Sequence, residues 1–240
     1  MRHGVLRSVA QLIFNLGIYG LLMAALLFHP QSNLPREWNP FETLRIADPV
    51  TPLTSWRLDR VLSDPLACRA VLLDHDTDIS VLPPKIADEN CGIDNRLTLR
   101  RLGRAQVAPF ETSCGAALRL AMWEAHSVQP LAREFLGVPV ARLTHFGSYS
   151  CRKIRTTRGP SDRWSSHATA SAVDISGVVL ADGRVLSLLQ NWDDTGPEGR
   201  FLRALHTGAC RWFEQALGPD YNRLHADHFH LQSGGWPICR

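Results

Sequence analysis

From Val9 to Phe28 the chain carries no formal charge, and Gln11 and Asn15 are the strongly polar residues in that stretch. A backbone in hydrocarbon must satisfy its own hydrogen bonds, so about 20 such residues have one stable form there, a single crossing helix. Arg2, His3 and Arg7 stand before the run. Positive flanks stay cytoplasmic, which sends the rest of the chain outward. The run ends Leu26-Leu27-Phe28-His29-Pro30, without the small-x-small exit of a cleaved leader. Residues 1–29 therefore read as a membrane anchor in preference to a signal peptide.

The cysteines agree with that address. Cys68, Cys91, Cys114, Cys151, Cys210 and Cys239 are even in number, and none forms a CxxC pair. In an exported domain this predicts three disulfides, with fifteen pairings open. Cys68 and Cys91 are expected to pair because they lie near one another in the N-terminal part. The remaining composition is that of a folded domain: 20% charged and 45% apolar residues. A net charge of +3 and the lack of a recognition-helix or RNA-binding motif argue against nucleic acid as a partner. Arg96, Arg100, Arg101 and Arg104 form a local basic cluster, expected to be a solvated face.

Residues 30–55 hold Pro30, Pro35, Pro40, Pro49 and Pro52 with little periodicity, and read as an extended tether. Residues 56–240 form the domain. A short helix is expected over Asp64–Leu73 and a strand over Leu97–Leu102. Ser113 has the place of an N-cap for a helix running through His126. Val138–Cys151 alternates as a strand, and Ala172–Leu180 reads as a buried one. Asp182-Gly183 predicts a hairpin with Arg184–Leu189 returning. Phe201, Leu202, Leu205, Ala209, Trp212, Phe213 and Ala216 predict an amphipathic helix stopped by Gly218-Pro219. A last strand spans Asp227–Gln232. The fold class is α+β, a mainly antiparallel sheet with flanking helices behind an N-terminal transmembrane helix.

Two segments carry chemistry. Ser165-Ser166-His167-Ala168-Thr169-Ala170-Ser171-Ala172-Val173-Asp174 offers an imidazole and a carboxylate, and His225-Ala226-Asp227-His228-Phe229-His230 offers three imidazoles. Two neutral His and one Asp around an open fourth position make a catalytic zinc site. Side chains alternate along a strand, so His228 and His230 share a face, as do Ala172, Asp174 and Ser176. Pairing those strands gathers Asp174, His228 and His230 on one surface, with His167 reaching over from the preceding loop. Taken singly, each residue has a plainer role: His167 as a surface residue, Asp174 as an ion-pair partner of Arg152. Their joint spacing favours a metal. His3, His29, His75, His126, His145 and His206 have no such support, and Tyr149 and Trp164 are expected to pack.

Ser165-x-His167-x-x-Ala170-x-Ala172-x-Asp174 resembles the SxHxxGxAxD signature of the D-Ala-D-Ala carboxypeptidase, lysostaphin and hedgehog-like metallopeptidases, and His228-Phe229-His230 resembles their terminal HxH. His225-x-x-His228-x-His230 followed by a cysteine is similar to the penicillin-insensitive murein endopeptidases. Over about residues 50–240 the chain most resembles the bacterial extensin-like C-terminal domain family. That likeness rests on Ser148-Tyr149-Ser150-Cys151-Arg152, Ser165-Ser166-His167-Ala168-Thr169, Asp174-Ile175-Ser176-Gly177 and Gly218-Pro219-Asp220-Tyr221-Asn222.

The resemblance implies one zinc ion per chain held by His167, Asp174 and His230. It makes His228 the unligated base and Arg152 a group near the substrate, able to bind a carboxylate or developing oxyanion. His225 becomes a supporting group behind the ligands. Some relatives place a Glu three positions before the last His. Asp227 stands there, but alternation in a strand from Asp227 turns it away. Ala170 replaces a signature glycine, which is tolerable where the backbone does not need positive φ. The implied activity is hydrolysis of peptidoglycan peptides by a single-pass protein of the cytoplasmic membrane, its domain in the periplasm or cell envelope. A non-catalytic wall-binding or envelope-maintenance protein of the same fold is the alternative.

Overall fold

The computed structural model describes residues 2–29 and 34–240. These form two compact units: residues up to Leu44 with Asp48–Arg57, and Arg45–Ala47 with Leu58–Arg240. In the first unit, α1 (Arg2–Leu27) is a helix whose stretch Arg7–Leu27 is exposed, and long and apolar enough to cross a membrane, as anchors and signal sequences both are. Of the Pro-rich segment, residues 30–33 lie outside the described residues. The expected extended tether is instead, over residues 34–52, a hydrogen-bonded coil around a 3-10 turn at Arg36–Trp38. The buried Arg57 guanidinium donates to the Thr43 carbonyl (2.6 Å) and to Asp48 (3.2 Å), while Thr51 Oγ1 donates to the Glu37 carbonyl (3.0 Å). Side-chain hydrogen bonds between residues 9 to 14 apart fold this segment back on itself despite its prolines.

A helix α2 (Leu53–Leu62) runs from the first unit into the second, followed by α3 (Pro65–Leu73), which Asp64 caps through the amides of Leu66 and Ala67. Strands β1 (Asp78–Val81), β2 (Lys85–Asp88), β3 (Cys91–Ile93), β4 (Arg96–Leu102) and β5 (Ala105–Ser113) follow. The helix expected from Ser113 begins as α4 (Cys114–Trp123), with Ser113 accepting from Ala116 N. It then widens into one π turn, Glu124–Val128, before α5 (Gln129–Leu136). Pro130 has no amide to donate and its ring crowds the preceding turn, which loosens the helix there. The Glu124 carboxylate turns inward to accept from Ala105 N (3.1 Å) and Gln129 Nε2 (2.8 Å).

Next come β6 (Val140–Gly147), the hairpin β7 (Lys153–Thr156) and β8 (Gly159–Trp164), and β9 (Ala172–Leu180). The returning strand is shorter than expected: β10 (Val185–Ser187) ends where Ser187 caps α6 (Leu188–Asn191). The amphipathic helix also needs correction. It is α7 (Pro197–Ala209), with Pro197 in the first turn, and it stops before residues 215–217, which form strand β11 (Gln215–Leu217). Cys210, disulfide-bonded, and Trp212, held by Arg119 Nη1 on its carbonyl (2.6 Å) and by its own Nε1 on Ser127 Oγ (3.2 Å), draw the chain out of the helix. The last strands are β12 (Phe229–Gln232), two residues shorter than expected, and β13 (Ile238–Cys239).

The main sheet has the order β1-β4-β5-β6-β9-β12-β11-β13, with β10 beside β9. Pairing is antiparallel except for β5 with β6 and β11 with β13. Along one edge, β9 pairs first with β12 and then with β10. Gly177 sits near that handover, where a Cβ would meet the Leu186 carbonyl oxygen at 2.2 Å. On one face, Val173, Ile175, Phe229 and Leu231 are buried, and Phe229 packs against Trp192 and against His206 of α7. The opposite face of β9 and β12 carries Asp174 and His230.

Three disulfides form: Cys68–Cys114, Cys91–Cys151 and Cys210–Cys239. The expected Cys68–Cys91 pair is therefore wrong. Cys68 on α3 meets the first residue of α4, while Cys91 on β3 meets the segment between β6 and β7. Proximity in sequence loses to the packing of α3 on α4.

Candidate metal centre

Register places the first two groups. His230 on β12 is the direct cross-strand partner of Asp174 on β9, so both side chains leave the same face. The third arrives from a loop. Ser165 caps a 3-10 turn, Ser166–Thr169, and His167 in that turn is buried. The turn ends at Ala170 with φ 50, so this backbone does take the left-handed region. An L-residue there costs roughly 1–2 kcal/mol. The conformation is held because the Ala170 carbonyl accepts from Ser113 N (3.3 Å), Ser148 Oγ (3.3 Å) and Thr112 Oγ1 (3.4 Å). Ser148 follows Gly147, whose φ of 103 turns the chain off β6.

The ligand atoms converge. His167 Nε2 lies 3.1 Å from Asp174 Oδ2 and 3.2 Å from His230 Nδ1, and His230 Nδ1 lies 3.0 Å from Asp174 Oδ1. The far nitrogens are already committed. His167 Nδ1 donates to the Ser148 carbonyl (2.6 Å), and His230 Nε2 donates to Gln232 Oε1 (3.3 Å). That Gln amide is oriented by its own Nε2 donating to the Gly234 carbonyl (2.9 Å). Both near nitrogens thus point toward each other and toward a carboxylate. Ligands of a tetrahedral zinc about 2.0–2.1 Å from the metal stand about 3.3 Å apart, and outer hydrogen bonds of this kind fix the tautomers of ligating imidazoles. The donor set fits zinc.

Asp174 is ionised in this setting. Burial opposes the charge, but hydrogen bonds and charge from His167 and His230 overcome it and hold the carboxyl well below the usual carboxylate range. Its partners are imidazoles, not the Arg152 guanidinium expected in the plainer reading. His228 Nε2 approaches Asp174 Oδ1 at 3.6 Å, while its Nδ1 donates to Asp227 Oδ1 at 2.8 Å. This overturns the reading of Asp227 as turned away. The strand begins at Phe229, so alternation does not govern Asp227, and its carboxylate orients His228. His225 Nδ1 donates to Asn222 Oδ1 (2.9 Å), and its ring stands 5.3 Å from that of His228 and 5.9 Å from that of His230. Burial first, then His228 and His230, push its pKa down to about 4.

These groups open onto a cleft of about 540 Å³ whose walls include Arg152, Arg155, Arg163, Tyr221, Asn222 and Gln232. Burial, then the neighbouring Arg155, lower the Arg152 pKa, and Asp174 opposes them. Tyr149 and Trp164 do not line it; the Tyr149 ring lies beneath the Lys85 ammonium at 4.4 Å. Two other groupings of metal-type donors occur among the described residues: His206 with Cys210 and Cys239, and Asp88 with Cys91 and Cys151. Their sulfurs are spent in disulfides. Sequence reasoning did not single out Ser148, Gln232 and Asn222 as orienting groups. Only Asn222 left a signal, as an N-cap residue three positions before His225.

The family described as "Extensin-like protein C-terminus" matches residues 66–240. No curated protein and no solved structure matches the chain.

Proposed function

Since the chain belongs to the extensin-like C-terminal family, and three donors of that domain converge on one point, we propose that it is an exported zinc-dependent hydrolase of peptide bonds in bacterial peptidoglycan. The apolar helix, read as a cytoplasmic-membrane anchor, holds the domain on the outer side. The observation that carries the reading is the convergence of His167 Nε2 and His230 Nδ1, 3.2 Å apart, beside the Asp174 carboxylate, with both outer nitrogens engaged by the Ser148 carbonyl and Gln232 Oε1. Such a cluster suits a cation at its centre.

Zinc bound by His167, Asp174 and His230 supplies Lewis-acid polarisation of a carbonyl and acidifies water. His228 keeps Nε2 free to take a proton, because Asp227 occupies Nδ1–H. Asp227 also stabilises the imidazolium that forms. His225, neutral at ordinary pH, packs beside His228 and His230 without adding charge. Arg152 faces the cleft, where a guanidinium meets a substrate carboxylate or the negative charge that develops on the carbonyl oxygen.

The test is release of peptides from purified wall fragments by the zinc-loaded protein. His167→Ala, Asp174→Ala and His230→Ala each abolish both bound zinc and product. Activity persisting in a metal-free His230→Ala protein would refute the mechanism, and full zinc occupancy without product would favour the wall-binding alternative.

A further inference from the structure

Several guanidinium groups of this domain pair with carboxylates. Arg96 pairs with Glu111, Arg101 with Asp76, Arg119 with Glu214, and Arg184 with Asp182 and Glu198. Those on the cleft wall do not. Arg155 on β7 and Arg163 on the facing strand β8 both line it. Among the described residues neither side chain has an ion pair or hydrogen bond. The acid of that hairpin, Asp162, goes instead to Lys153 (3.6 Å). Arg152, at the base of the hairpin, reaches just the Lys153 carbonyl at 3.4 Å. Asp174 is the sole carboxylate on the cleft wall, and imidazoles engage it.

Three cations crowded around one polar cleft repel one another unless an anion enters. The Cys91–Cys151 disulfide secures the chain immediately before Arg152, so the basic wall is anchored to β3 at its base. Guanidinium forks match the flat face of a carboxylate. Ser166, Asn222, Gln215 and Gln232 on the same walls offer partners for peptide groups.

We propose that Arg155 and Arg163 form a second anion seat, apart from Arg152, so that the cleft selects peptides carrying an ionised side-chain or branch carboxylate near the bond brought to His228. The peptide nature of the ligand rests on the hydrolase reading above; the charge preference rests on the hairpin. The seat explains why a short basic hairpin stands over a site whose chemistry needs a single arginine.

The probe is a fluorescent pentapeptide of alternating L and D residues with one free D-Glu carboxylate, beside the same peptide bearing the carboxamide. Binding to the full-length zinc-loaded protein in detergent is read by anisotropy, and product formation is read on the same samples. Wild type is expected to bind the carboxylate form about ten-fold more tightly. The exposed pair Arg155→Gln/Arg163→Gln removes that preference while zinc content and carboxamide binding hold. Equal affinity of wild type for both peptides overturns the seat, as does a preference that survives in the double variant. Inorganic phosphate should compete for the guanidinium groups and erode the preference, and a preference indifferent to saturating phosphate overturns the seat. Preference without product supports the seat and counts against the hydrolase reading alone. Product without preference counts against the seat alone.

Discussion

Asp227 and His228 are neighbours in the chain and bonded through their side chains at 2.8 Å. Removing the carboxylate while keeping the shape isolates its role: Asp227→Asn lets the amide present either face, so His228 loses its fixed tautomer. The expected result is a kcat lower by about ten-fold or more, with zinc content unchanged; an unaltered kcat would return Asp227 to the role of a surface acid. Ala170 allows a second test. Its left-handed backbone is natural for glycine and hostile to β-branched residues. Ala170→Gly should hold or raise stability by up to about 1 kcal/mol, and Ala170→Val should lower it by about 2 kcal/mol or more. Thermal melts that rank the valine variant above the glycine variant would contradict this. The meeting of His167, Asp174 and His230 was legible from their joint spacing and the family resemblance, not from any one residue. The groups that orient them were not. Ser148 acts through its carbonyl and Gln232 through an amide, and backbone and amide roles leave no mark in residue type.

At the scale of elements, the π turn after α4 encloses a buried acid. Burial raises the Glu124 pKa against the hydrogen bonds from Gln129 and the Ala105 and Arg104 amides. A raised folded-state pKa means that the group's contribution to stability is complete below its unfolded value and is lost as pH rises through its folded value. Glu124→Gln keeps an oxygen for Ala105 and Gln129 but never ionises. It should melt higher than wild type at neutral pH, with the gap closing in acid; a gap that is constant across pH would mean the charge is not the cost. The Cys91–Cys151 bridge closes a separation of 60 residues, worth about 4 kcal/mol in the chain-entropy account. Cys91→Ser/Cys151→Ser should lose much of that and loosen Arg152 along with it, seen as a higher KM. Elements with one dominant signal were readable: β9 by its apolar run, α4 by its cap. β11 was hidden because Trp212, Phe213 and Ala216 continue the helical spacing of α7, and only the distant partners Ser127 and Arg119 pull that stretch away.

Across the whole molecule, the site exists because one sheet collects segments far apart in sequence. The β6 exit supplies Ser148, the loop after β8 supplies His167, and β9 and β12 supply Asp174 and His230 in register. Alternation in two strands showed which residues share faces, but not that β12 would lie beside β9. Pairing of distant strands is a property of the assembled core, as is the choice among disulfides that defeated Cys68–Cys91. A metal that binds only the folded state adds stability by mass action, about 2.7 kcal/mol at a hundred times its Kd. A chelator should therefore lower the melting temperature of wild type, zinc should restore it, and His230→Ala should respond to neither. The most direct test is zinc K-edge X-ray absorption on the purified full-length protein, with metal content measured alongside. The proposed function predicts one zinc per chain, two imidazole nitrogens and carboxylate or water oxygens at about 2.0–2.2 Å, and no such shell in Asp174→Ala. Sulfur in the shell, or an identical spectrum and content in Asp174→Ala, would show that this cluster does not hold the metal.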